Sequence, residues 1–66
     1  MTATEAARLS GLAQQIATEA VLLKANLLNV AVYDSLRHRE EALRRIGVLQ
    51  EALGEVEKSV KVEPVV

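Results

Sequence analysis

Apolar residues recur through the first half of the chain at Leu9, Ala13, Ile16, Ala20, Leu23, Leu27 and Val30, alternately four and three residues apart. That spacing is a heptad pattern, and it predicts an amphipathic helix with one apolar seam. Arg8, Gly11, Gln15, Thr18 and Asn29 fall on the other side. A second series, Ala42, Ile46, Leu49, Leu53, Val56 and Val60, shows the same alternation in a different phase. Continuing the first series by heptads would require apolar residues where the chain has Asp34, Arg37, Glu41 and Arg44. One long helix stays open on composition, since no Gly or Pro falls between Gly11 and Gly47, but the break in phase favours two helices. The expected fold is all-α: a two-helix antiparallel hairpin with helices over 3–29 and 35–59, a bend over 30–34, and residues 1–60 as one domain.

Local signals support these limits. Thr2-Ala3-Thr4-Glu5 matches a capping box, in which a hydroxyl and a carboxylate satisfy two free amides at a helix start. Asn29 suits a helix C-cap, since Asn tolerates left-handed geometry. The segment Val30-Ala31-Val32-Tyr33 is poor in helix propensity. Asp34 or Ser35 can cap the second helix. Residues 61–66 are expected to be a flexible tail, and Val60-Lys61-Val62-Glu63 alternates as a strand added to a partner's sheet would.

Size changes the picture from shape to assembly. A hairpin of 66 residues without cysteine buries too little apolar area to offset its chain entropy alone, and it lacks a disulfide or thiolate metal site to help. Association is the remaining remedy, as a homodimeric four-helix bundle or with a helical partner protein. Val21 and Leu28 widen the first seam, while Leu36 and Leu43 widen the second beside Gly47 and Gly54. These six residues form the expected partner-binding surface. Antiparallel pairing about Tyr33 sets Gly11 level with Gly54 and Thr18 level with Gly47, where small residues would permit close approach.

Charge and residue types narrow the function classes. Eight basic and nine acidic residues give a net charge of −1, unlike the basic footprint of a typical nucleic-acid binder. Arg37, Arg39, Arg44 and Arg45 are the best nucleic-acid candidates, but Glu40 and Glu41 interrupt them and no aromatic stands nearby to stack on bases. Asp34, His38 and Glu41 share a helix face and form the one candidate metal cluster, without the paired Glu-x-x-His signature of bundle metal sites. Ser10, Ser35 and Ser59 are scattered and His38 is the single imidazole, so no catalytic constellation and no cofactor are expected. The longest apolar zone, residues 20–33, is interrupted by Lys24, Asn26 and Asn29 and is shorter than the ~20 residues that span a bilayer. With no recognisable secretory leader, a cytoplasmic protein without a membrane span is expected.

Two resemblances add to this reading. Two helices joined by a short bend resemble the Rop-type RNA-regulating hairpins, which dimerise into four-helix bundles. That likeness implies a dimeric nucleic-acid regulator as the alternative function, although the aromatic those proteins present to RNA has no counterpart here. Met1-Thr2 with Leu9, and Ala42-Leu43 followed by Ile46-Gly47-Val48-Leu49, are similar to the pattern of the small co-chaperones of type III secretion needle subunits. The chain departs from that family at the bend, which is polar and glycine-rich there. This second resemblance implies a non-enzymatic interaction module, an adaptor or small chaperone that shields a partner's apolar helix.

Overall fold

The computed structural model describes residues 2–61. Helix α1 spans Ala3–Tyr33 and helix α2 spans Leu36–Val60, with no strand among the described residues. The two pack against each other as an antiparallel hairpin 54 Å long and 17 by 13 Å across. The expected all-α hairpin is therefore the fold, and the alternative of one continuous helix is not.

Thr2 caps α1, its hydroxyl accepting a hydrogen bond from the Glu5 N–H at 3.1 Å. The far end differs from expectation. The helix does not stop at Asn29 but continues through Val30, Ala31 and Val32 to Tyr33. The Asn29 side chain instead donates back to the Ala25 carbonyl, 2.9 Å away, inside the helix. The penalty for β-branched residues is only some tenths of a kcal/mol each. Continuation keeps the backbone hydrogen-bonded and brings Val30, half-buried, against α2.

The reversal therefore occupies two residues. Asp34 takes the left-handed conformation at φ 49°, ψ 42°, and its N–H donates to the Val30 carbonyl at 2.9 Å. A non-glycine residue is uncommon there, and Asp is among the residues that tolerate it. Its carboxylate is held by Arg39, whose Nε lies 3.0 Å from Oδ1. Ser35 then caps α2, its hydroxyl receiving the His38 N–H at 3.4 Å. Lys61 closes α2, and the rest of the expected tail lies outside the described residues.

The seam that joins the helices is not the one the spacing predicts. Leu9, Ile16, Leu23 and Val30 do face α2, as do Ala42, Leu49 and Val56 facing α1. The companion line on each helix is displaced. On α1 the shielded residues are Leu12, Glu19 and Asn26, three places after the first line, while Ala13, Ala20 and Leu27, four places after it, are exposed. On α2 they are His38, Arg45, Ala52 and Ser59, and Ile46, Leu53 and Val60 are exposed. Among the described residues only Asn26, Ala42 and Ala52 are buried.

Polar bonding accounts for this rotation. Glu19 accepts from Arg45 Nη1 at 3.0 Å, and Arg45 Nε donates to Asn26 Oδ1 at 2.9 Å. Asn26 Nδ2 donates to Glu41 Oε2 at 2.9 Å, and Glu41 Oε1 accepts from Arg37 Nε at 3.3 Å. Five residues from both helices thus form one net-neutral network. It can form only if the line containing Glu19 and Asn26 points inward. Glu41 and Arg45 are spent here, and among the ion pairs of the described residues neither Glu41–Arg45 nor Glu40–Arg44 forms along α2.

Candidate functional site

The rotation leaves an apolar line uncovered on each helix, and both lines lie on one side. Side chains three and four places along a helix sit on opposite flanks of the starting residue. The helices are antiparallel, so a line displaced in the same sense on each ends on a common broad face of the hairpin. Ala13, Ala20 and Leu27 from α1 join Ile46, Leu53 and Val60 from α2 on that face. Leu27 is 50% exposed, Ile46 37% and Leu53 52%. Leu43, 69% exposed, extends the face along its α2 margin. Ala20, Leu23, Lys24, Leu27 and Leu28 line a shallow, almost wholly apolar groove in it.

The opposite broad face is the more polar one. Arg8 and Glu55 form an ion pair across the hairpin there. Gln15, Glu51 and Lys58 line the groove beside that pair. The contrast between faces is invisible in the totals, because the chain is nearly charge-balanced.

The six residues expected to bind a partner do not form one surface. Leu36 and Leu43 stand at the margin of the apolar face and Leu28 lines its groove, whereas Val21 lies with Ala17, Thr18 and Leu22 on a separate exposed patch of α1. Gly47 is exposed on the back of α2, and Gly54 lines the polar groove with Gln15, Glu51 and Lys58. The levels are as expected, since Arg8 beside Glu55 and Glu19 beside Arg45 put Gly11 near the height of Gly54. The close approach is absent, however, for a Cβ added at Gly11, Gly47 or Gly54 would have no neighbour within 4 Å. Ala13, Ala20, Ile46 and Leu53 were assigned to the internal seam by their spacing, and their outward position depends on the polar network. The signal that could have found them is the line of polar residues, Glu19, Asn26 and Arg45, lying one place before the apolar one.

The arginine cluster is largely engaged. Arg37 is paired with Glu41, Arg39 with Asp34, and Arg45 with Glu19. Arg44 takes no part in the ion pairs of the described residues. The candidate metal ligands diverge: Asp34 faces Arg39, Glu41 faces Asn26 and Arg37, and His38 Nδ1 sits 2.9 Å from the Ser35 hydroxyl. The Ser35–His38 contact joins a helix-capping residue to the residue three places on, and a capped helix start makes it without any reaction. Ser59 is likewise occupied, donating to the Glu55 carbonyl at 3.1 Å. One ionisation is displaced. The hydrogen bond from Asn26, then that from Arg37, hold the Glu41 carboxyl below the ordinary glutamate range.

α1 raises a further property. Because it runs past Asn29 it is 31 residues long, and its most apolar 18-residue stretch has a mean hydropathy of 1.3, so by length and composition it could cross a membrane. The same helix carries Glu19 and Asn26, whose partners are on α2. Comparison with protein-family models, curated proteins and solved structures found no match, so neither resemblance drawn from the sequence gains a relative.

Proposed function

We propose that this chain is a non-enzymatic interaction module, of the adaptor or small-chaperone kind, that works by packing its apolar face against other helices. The observation that carries this reading is the broad face of Ala13, Ala20, Leu27, Leu43, Ile46, Leu53 and Val60. Singly exposed apolar residues are ordinary, but a contiguous patch rimmed by polar residues marks an interaction surface. The hairpin's scant buried core supports it further, since a unit this small needs added burial to be stable.

The test is a pair of charges in the middle of the face. Ile46→Asp with Leu53→Asp should abolish association, measured by light scattering, and lower helicity at micromolar concentration. If molar mass and melting temperature are unchanged, the reading fails. Binding of the unaltered chain to lipid vesicles, with no association in their absence, would also overturn it in favour of a membrane role for α1. The nucleic-acid reading has less support, because three of its four arginines already hold carboxylates within the hairpin.

A further inference from the structure

We infer that the outer side of α1, turned away from α2, rests on the surface of a lipid bilayer with anionic headgroups, while α2 stays on the water side. The inference goes beyond the reading above, because it concerns a different side of α1 and a different kind of partner.

The spread of apolar residues around α1 is the first argument. The most apolar 18-residue stretch of the helix is only 6% buried in the hairpin. The one buried residue of α1 is polar, Asn26. Each residue turns an α-helix by ~100°. By that measure Leu22 and Leu27 flank the contact with α2 on opposite sides, and Val21 and Val32 stand opposite it. Leu22 is 40% exposed, Leu27 50%, Val21 67% and Val32 68%. A single neighbouring helix covers one stripe, whereas a helix that is apolar all round is enclosed by its surroundings. Lipid covers such a helix without a matching shape.

The division of charge between the helices gives the orientation. α1 has four charged residues in 31, and α2 has ten in 25. Arg8 and Glu19 are held across the hairpin by Glu55 and Arg45. Lys24 is then the only charge on α1 between Glu19 and the bend. It borders the groove of Leu27 and Leu28, where its stem can lie along lipid with the ammonium among the headgroups. An interfacial helix enters ~5–10 Å, about the width of one helix, so α1 is covered and the charges of α2 remain in water. A spanning α1 would draw in the partners that Glu19 and Asn26 have on α2.

Charge also names the headgroup. In residues 20–46, the half that contains the bend, Lys24 and four arginines stand against Asp34, Glu40 and Glu41, an excess of two positive charges. The rest of the described chain has three basic and five acidic residues, an excess of two negative charges. Val21, Leu22, Leu27, Val32 and the exposed Tyr33 all lie in the positive half. Apolar surface and positive charge coincide there, the combination that an anionic bilayer surface attracts.

Co-sedimentation of the full chain with vesicles of phosphatidylcholine, alone and mixed with phosphatidylglycerol, tests the inference. Binding to the mixed vesicles should be about tenfold tighter or more, and salt should weaken it. No binding to either vesicle, or equal binding to both, would overturn the inference. Val21→Asp with Val32→Asp should weaken binding by about a hundredfold with helicity unchanged. Unchanged binding would reject the outer side of α1 as the contact. The chain has no cysteine, so one introduced thiol can carry an environment-sensitive fluorophore and leave the fold undisturbed. On Val21→Cys its emission should shift to the blue when mixed vesicles are added, and on Glu51→Cys of α2 it should not. A shift at both positions, or at neither, would overturn the orientation. Association without vesicles, read by light scattering, tests the reading above and not this one, so failure of either shows in its own measurement.

Discussion

The two broad faces of the hairpin are built from the same helices and the same heptads, yet one is finished and the other is not. On the polar face, Arg8 reaches Glu55 across the hairpin, and beside it Gln15, Gln50, Glu51 and Lys58 line a groove together with Leu12, Val48 and Ala52. On the apolar face, Leu27, Ile46 and Leu53 remain about half exposed with only small neighbours between them. A lone hairpin can cover only one flank of each apolar stripe. Here the flank it covers is the more polar one, which leaves the more apolar flank exposed.

The sharpest way to break that comparison is to place the same charge on each face. Ala20→Glu puts a carboxylate on the apolar face, and Gln15→Glu puts one in the polar groove of the opposite face. Burying an unpaired charge costs several kcal/mol. Ala20→Glu should therefore weaken association by about a hundredfold or more, or ~3 kcal/mol. Gln15→Glu should change stability by less than ~0.5 kcal/mol. Sedimentation equilibrium on both variants decides the matter, and equal effects would mean the faces do not differ in role.

Removing the group that sets the rotation comes next in size. Arg45 is held by Glu19 and Asn26, and its side chain is only 19% exposed. Arg45→Ala strands both partners, and a loss of about 2 kcal/mol is expected for a pair this well shielded. Replacing Glu19 and Arg45 together by Leu and Met should recover much of that stability. It should also free α1 to rotate toward the seam that the spacing predicts. Thermal melts measure the first effect. The second should appear as a lost or shifted association constant, because Ala13, Ala20 and Leu27 would turn inward.

That rotation marks where the sequence was legible and where it was not. Heptad spacing and the break of phase at Asp34 were enough for two antiparallel helices, and Ser35 was a readable cap. The end of α1 was misplaced because propensity at Val30 and Val32 is a weak preference beside continued hydrogen bonding and the packing of Val30. The face was misplaced for a different reason. Spacing reports which residues avoid water, not which neighbour covers them. Within a hairpin, Asn26 reaches Arg45 and Glu41 only by displacing Leu27 from the centre of the contact. Side-chain bonds between residues 15 to 26 apart leave no local signature in the sequence.

A smaller prediction separates the glycines from the face. Gly47 lies on the back of α2, with nothing within 4 Å of an added Cβ. Gly47→Ala should raise stability by about 0.5–1 kcal/mol through helix propensity and leave the association constant unchanged. A weaker association would instead return Gly47 to a partner surface.

The smallest effect is that of acid on the network at the bend end of the seam. Glu41 has its carboxyl held below the ordinary range, first by Asn26 and then by Arg37. A carboxylate depressed on folding stabilises the native state fully above its unfolded pKa, and the contribution is lost as pH falls through the lower folded value. Melting temperature should accordingly gain nothing from this group between about pH 6 and 8 and should decline below about pH 4.5. Glu41→Gln keeps the shape and can still accept from Asn26, but it cannot titrate, so the acid decline should be shallower in this variant. A parallel decline in both proteins would place the acid-sensitive contact elsewhere. The apolar face carries no carboxylate in its centre, so acid should loosen the seam within the hairpin before it affects that face.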